Sequence, residues 1–216
     1  MSVTLIESPI SFDSNIWLVK GSSAIIIDSG TGLASDEVIR SIESELGSLD
    51  VSAIVLTHCH FDHTGGANTL SAAFSCPIFI GTGDYDAISK ADRVTTVADF
   101  FLDRGSDLMP VDCTGVGEGY VFDIGEQRLR VIETPGHTTG GICLYDEIGG
   151  SLFSGDTLFA NGIGRVDLPG GSLRSMADSL LRLRNVNITT LYPGHGPAET
   201  DGTGSLAYAL HSVGLS

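Results

Sequence analysis

With 216 residues, 42% of them hydrophobic and 18% charged, the chain can bury a substantial core without disulfides or other staples, and its composition is not that of a disordered protein. The formal charge is −16 and the only lysines are Lys20 and Lys90, so the surface repels phosphate backbones and anionic membranes. With no local basic patch in view, this argues against a nucleic-acid partner and against membrane association.

No apolar run approaches the ~18–20 residues that span a bilayer, and Met1–Glu7 lacks the basic and apolar segments of a signal peptide. A cytoplasmic location is the expectation. Cys59, Cys76, Cys113 and Cys143 are scattered without a CxxC pair, which suits free thiols in a reducing compartment.

In chain order, Val3–Glu7, Asn15–Val19 and Ala24–Asp28 read as strands separated by turn residues such as Gly21 and Ser22. A helix follows, with Ser35 as its N-cap, Asp36 and Glu37 at the positive end of its dipole, and Gly47 as its stop. Its apolar residues Ile39, Ile42 and Leu46 recur at helical spacing. Val51–Leu56 has the pattern of a buried strand, Ala67–Phe74 that of a small helix, and Pro77–Ile80 that of another strand. Asp84–Lys90 and Val97–Leu102 are expected to be short helices. The chain then turns to β structure at Tyr120–Ile124, Leu129–Glu133, Ile142–Tyr145 and Leu152–Ser154. Ser172 is placed to cap a long helix reaching Arg184, Ile188–Leu191 reads as the last strand, and Leu206–His211 as a closing helix. Pattern alone supports α+β or α/β in one domain.

Three of the six histidines fall within six residues, in Thr57-His58-Cys59-His60-Phe61-Asp62-His63, directly after the strand Val51–Leu56. Two residues apart in extended chain, His58 and His60 face the same side. Asp62 and His63 fall where Gly65-Gly66 bends the chain, so they can reach a second centre. Imidazole nitrogen and carboxylate oxygen together suit zinc and related metals. His137 in Pro135-Gly136-His137, Asp156 after Ser154-Gly155, and His195 in Pro193-Gly194-His195 stand in similar strand-end settings, where loops on one rim of a scaffold assemble sites.

The run His58-Cys59-His60-Phe61-Asp62-His63, followed in order by His137, Asp156 and His195, resembles the HxHxDH signature and later ligands of the metallo-β-lactamase superfamily. The stretches Gly155–Phe159 and Gly164–Gly171 resemble the glyoxalase II branch, in particular its short single-domain members. The resemblance implies an α+β fold, a four-layer αββα sandwich of two mixed sheets flanked by helices. Residues 1–216 would form one domain without a separate C-terminal helical domain, since 21 residues follow His195.

The resemblance also implies two divalent metal ions, Zn by preference with Fe or mixed Zn/Fe as alternatives. His58, His60 and His137 would hold one metal. Asp62, His63 and His195 would hold the other, with Asp156 bridging. The implied reaction is attack of a metal-bridging hydroxide on a small-molecule thioester of the S-lactoylglutathione type, with catalytic roles for Asp62 and Asp156. A thioester suits the chemistry because a thiol of pKa about 8–9 leaves without a strong acid, and no spare acid is evident.

Alternatives are a persulfide dioxygenase-like mononuclear iron enzyme using His58, His137 and Asp156, a lactone hydrolase, and a metal-binding scaffold without turnover. Asp28 is a candidate partner for a ligand histidine or a plain turn residue. Arg165 either pairs with Asp167 or meets a substrate carboxylate. Cys59 should point away from the metals, and His211 matches no motif.

Overall fold

The structure, a computed structural model, describes residues 2–103, 106–125 and 127–215. Strands β1 (Ser2–Ile6), β2 (Ile16–Lys20) and β3 (Ala24–Ile27) form an antiparallel meander. Three parallel strands extend it, β4 (Val51–Leu56), β5 (Ile78–Gly81) and β6 (Thr114–Val116), in the spatial order β1-β2-β3-β4-β5-β6. Helix α1 (Ser35–Leu46) crosses from β3 to β4. The one-turn helix α2 (Phe61–Thr64) and α3 (Ala67–Phe74) lie between β4 and β5, and α4 (Tyr85–Ser89) between β5 and β6.

A second sheet contains β7 (Val121–Asp123), β8 (Arg128–Glu133), β9 (Ile142–Asp146), β10 (Ser151–Gly155) and β11 (Thr190–Pro193), in the order β11-β10-β9-β8-β7. All its pairs are antiparallel except β10 with β11, which α5 (Leu173–Leu183) connects. Helix α6 (Gly202–Ser212) packs against α5.

Burial explains why β3 and β9 are apolar along almost their whole length. In β3, Ala24 and Ile26 face the helix layer with Val38 and Ile42 of α1, whereas Ile25 and Ile27 face the other sheet. In β9, Ile142 and Leu144 enter the inter-sheet core, while Cys143 and Tyr145 meet Met176, Leu180 and Leu183 of α5. Strands covered on both faces lose the polar alternation of half-exposed ones. Three apolar layers separate four structural layers: helices, sheet, sheet, helices. Each fully buried Ile or Leu contributes about 1.5–3 kcal/mol against conformational entropy.

Most expected elements appear within two residues of their expected limits, and the departures have local causes. Ser35 is the first residue of α1 and not its cap. Its hydroxyl donates to the Gly32 carbonyl at 2.9 Å, and Ala34 stands at the N-cap without a side-chain bond. Ser172 does cap α5, accepting from the Ser175 N–H. The stretch expected as a helix over Val97–Leu102 makes only a 3-10 turn, Ala98–Phe100, because Val97 sits at φ 49°, a left-handed conformation that no helix continues. The last strand begins at Thr190. Ile188 packs into the outer core, and Thr189 turns its N–H onto the Gly150 carbonyl. Helix α6 starts at Gly202, capped by Asp201 through the Gly204 N–H.

Strands β3, β4 and β5 run parallel, so their C-terminal ends share one rim. Strands β8 and β10 are each antiparallel to β9, and β11 is parallel to β10, so these three also end together. The two rims are tied to each other. The Ile142 N–H donates to the Thr57 carbonyl at 2.8 Å, and the Trp17 indole N–H donates to the Pro193 carbonyl at 3.0 Å. Among the described residues no helix is long and apolar enough to cross a membrane.

Candidate metal centre

After β4 the chain bends over Thr57–Cys59 and is extended at His60, whose φ and ψ of −65° and 145° precede α2. His58 and His60 nonetheless come together, their ring centroids 4.8 Å apart. Cys59 points away and is fully buried, its thiol against the Thr95 carbonyl. The first turn of α2 then swings Asp62 and His63 out of line with the earlier pair. His137 follows β8, Asp156 follows β10, and His195 follows β11.

All seven candidate ligands converge. His58, His60 and His137 bring ligand atoms within 4.8 Å of one another, and so do Asp62, His63 and His195, and also His58, His63 and Asp156. Asp156 stands between the groups: its Oδ1 lies 3.5 Å from His63 Nε2 and its Oδ2 3.5 Å from His137 Nε2. Asp62 Oδ2 lies 3.2 Å from His195 Nε2. Gly194 makes this approach possible, since a Cβ there would run into Asp156 Oδ1 and come within 2.7 Å of His63 Cε1.

Hydrogen bonds at Nδ1 orient three of the rings. Thr57 Oγ1 donates to Asp28 and so accepts from His58 Nδ1 at 3.1 Å. His63 Nδ1 donates to Asp28 Oδ2 at 2.8 Å, and His137 Nδ1 to the Arg165 carbonyl at 2.6 Å. Each Nε2 is thereby turned inward. Three of these nitrogens, on His58, His60 and His137, are buried without any partner, as is Asp156 Oδ1. Buried polar atoms are rarely left unpaired, and a cluster of acceptors with nothing to accept from fits cations. The donor set suits divalent metals of the zinc and iron class.

The electrostatics differ between the two groups. Burial, followed by the neighbouring His137 and His63, holds His60 down to about 3, and burial pushes His58 well below its ordinary value. Both stay neutral, with lone pairs free. Burial also opposes charge on His63, but Asp28, Asp156 and Asp62 outweigh it and raise that imidazole to about 10. In the second group a proton on His63 thus plays the part that a cation would play.

Two buried carboxylates support the loops. Asp28, at φ 61°, bends the chain after β3 so that its Oδ1 accepts from the Thr57 N–H while Oδ2 takes His63, which settles its role as a partner of a candidate ligand. Asp84, closing the 3-10 turn Thr82–Asp84 that follows β5, was not expected to act here. Its Oδ2 accepts from the Cys59 N–H at 2.9 Å and the Thr138 hydroxyl at 2.6 Å, and its Oδ1 accepts from the Gly140 N–H at 2.6 Å. It fastens the His58–His60 loop to the His137 loop. The available signal was an acidic residue shortly after a buried strand. Arg165 pairs with Asp167 through Nε and Nη2 at 3.0 and 2.9 Å, and His211 lies exposed in the last turn of α6.

The sequence profile of the Metallo-beta-lactamase superfamily matches residues 11–195. The chain belongs to this superfamily. Among its relatives, the Probable metallo-hydrolase MJ0888 of Methanocaldococcus jannaschii is 35% identical over 191 residues, covering 86% of this chain and 88% of that one. A hydroxyacylglutathione hydrolase of Rhodospirillum rubrum is 37% identical over 188 residues, 85% of this chain but 62% of that one. Among solved structures, the BLEG-1 B3 metallo-beta-lactamase superposes with a TM-score of 0.77 at 28% identity, covering 96% of this chain and 95% of that chain. A protein crystallised in a di-iron-bound form gives 0.75 at 30%, covering 96% of each. Metallo-β-lactamase superfamily members bind divalent metals at such His/Asp clusters, and this chain carries one.

Proposed function

We propose that this superfamily member is a binuclear metallohydrolase of the glyoxalase II-like branch, cleaving thioesters of the S-lactoylglutathione type. The observation that carries the reading is Asp156, whose two oxygens face the two histidine groups from between them. His58, His60 and His137 would hold one metal and Asp62, His63 and His195 the other, with Asp156 available to both. Two divalent cations so held would supply Lewis acidity, lowering the pKa of bound water and polarising the acyl carbonyl.

The chain's own residues would do the rest. Asp62 Oδ2, 3.2 Å from His195 Nε2 at the mouth of the cleft, would help to orient the attacking water. Asp28, Thr57 and the Arg165 carbonyl hold three imidazoles in one tautomer throughout. No further acid lines the cleft among the described residues, which suits a thiolate leaving group and not an amine. The hydroxyacylglutathione hydrolase relative and the di-iron-bound neighbour support the thioester and two-metal parts respectively.

The test is metal content measured alongside S-lactoylglutathione turnover on protein purified without added metal. Two metals per chain and chelator-sensitive cleavage are expected. One iron per chain, no thioester cleavage and O₂ uptake with glutathione persulfide would replace this reading with the mononuclear dioxygenase.

A further inference from the structure

The cleft above the metal centre has a floor of ligand candidates and walls of a different character. Its volume is about 460 Å³, within the usual range for small-molecule sites, and its floor exposes His60, Asp62, His137, Asp156 and His195. Around them stand Val97, Phe100, Phe101, Phe159, Ile163 and Leu168. These come from two separate segments, the 3-10 turn after Val97 and the loop after β10. Phe100 is 72% exposed, an expensive placement for a phenyl ring unless something apolar covers it during function.

The wall offers little to a charged ligand. Arg165 is the one Lys or Arg lining the cleft among the described residues, and the Asp167 carboxylate pairs with its charge by accepting from Nε and Nη2. A glutathione moiety carries two carboxylates, and each would have to leave water without a free cation to meet it. The overall charge of −16 adds repulsion at longer range.

From this we infer that the natural substrate is a thioester of an uncharged, apolar acyl group of several carbons, whose chain packs on Phe100, Phe101, Phe159 and Ile163 while the carbonyl lies over the metal ligands. The inference rests on the thioester reading above and specifies both halves of the substrate: an apolar chain in place of the small hydroxylated lactoyl group, and a carrier thiol without the carboxylates of glutathione. Hydrolysis balances simply: water adds to the carbonyl carbon, the C–S bond breaks, and the products are a carboxylate and a thiol.

The test uses metal-loaded protein and a series of N-acetylcysteamine thioesters, acetyl to hexanoyl, set against S-lactoylglutathione. Burial of each added methylene should raise kcat/KM roughly 3-fold, so about 80-fold from acetyl to hexanoyl. A second readout needs no turnover: the Kd of S-alkyl N-acetylcysteamine thioethers, by calorimetry, should tighten with length in the same proportion with or without metal. Phe100→Ser and Ile163→Ser, both on the cleft wall, should flatten both slopes.

Rates flat with length and highest for S-lactoylglutathione would overturn the inference and leave thioester hydrolysis standing. Length-dependent thioether binding without cleavage of any thioester would overturn the hydrolase reading and with it the thioester substrate, leaving only a site for an apolar chain. Flat slopes in both series with the parent protein would also overturn it.

Discussion

Replacing Asp84 by asparagine removes one buried acceptor while keeping the size of the side chain. If the amide oxygen takes the place of Oδ2, it keeps the Cys59 N–H and the Thr138 hydroxyl but turns its NH₂ toward the Gly140 N–H, which lies 2.6 Å from Oδ1 in the parent. The flipped amide keeps Gly140 and lets the Thr138 hydroxyl accept from its NH₂, but it turns that NH₂ toward the Cys59 N–H. Either arrangement sacrifices one charge-assisted hydrogen bond and adds a donor–donor contact, together about 2–4 kcal/mol. For a chain of this length that corresponds to a fall in Tm of about 5–15 °C. The His137 loop should loosen relative to His58 and His60, weakening the first metal about 10- to 100-fold, as is typical when support for a ligand is lost. Scanning calorimetry of the metal-free protein reads the first effect, and a competitive chelator titration reads the second. A variant with parental Tm and parental metal affinity would refute the account of Asp84 as the fastener between the two loops.

Asp156→Ala should reduce bound metal below two per chain and cost more activity than the 10- to 100-fold typical of removing a hydrogen-bond partner of a ligand; elemental analysis with thioester kinetics checks both. Gly194→Ala should fold but displace the Asp156 carboxylate, seen as weaker metal retention on dialysis against chelator, because its Cβ would occupy the space beside Asp156 Oδ1 and His63. Asp167→Asn should free Arg165 and raise kcat/KM for S-lactoylglutathione relative to the hexanoyl thioester by about 2- to 5-fold, as expected for an exposed charge. The four cysteines should resist alkylation at pH 8 in the folded protein and react in denaturant. Burial raises Cys76, Cys113 and Cys143 to about 11 and Cys59 well above its ordinary value, so below those values each stays a protonated, unreactive thiol. Mass spectrometry after iodoacetamide treatment reads the outcome.

What could be read from residues alone follows the range of the interactions concerned. His58 to His63 declare themselves because six consecutive residues carry four of the seven candidate ligands, and β3, Ala53–Leu56 of β4 and Ile142–Tyr145 of β9 because burial on both faces leaves apolar runs. Strand β6 was not anticipated. Two of its three residues are exposed, so its pairing with β5 leaves no hydrophobic trace. Asp84 binds partners 25, 54 and 56 residues away, a constraint that no local pattern records. The cleft wall is likewise assembled from residues 97–101 and 159–168, which meet only after the two sheets have closed. Asp28 was legible as an alternative, and only the distance to His63 Nδ1 decides between partner and turn.

The candidate ligands are drawn unevenly from the two sheets: each triad takes two groups from the β4–α2 segment of the first sheet and one from the second, His137 in one case and His195 in the other. A cation bound at either place therefore acts as a non-covalent clasp between the two halves of the sandwich. Separating the sheets would require it to dissociate or to remain on two ligands. Metal uptake should thus lock the halves into a single unfolding unit, with added stability growing as the logarithm of free metal over Kd. The same ions proposed to activate water would then also set the lifetime of the folded chain.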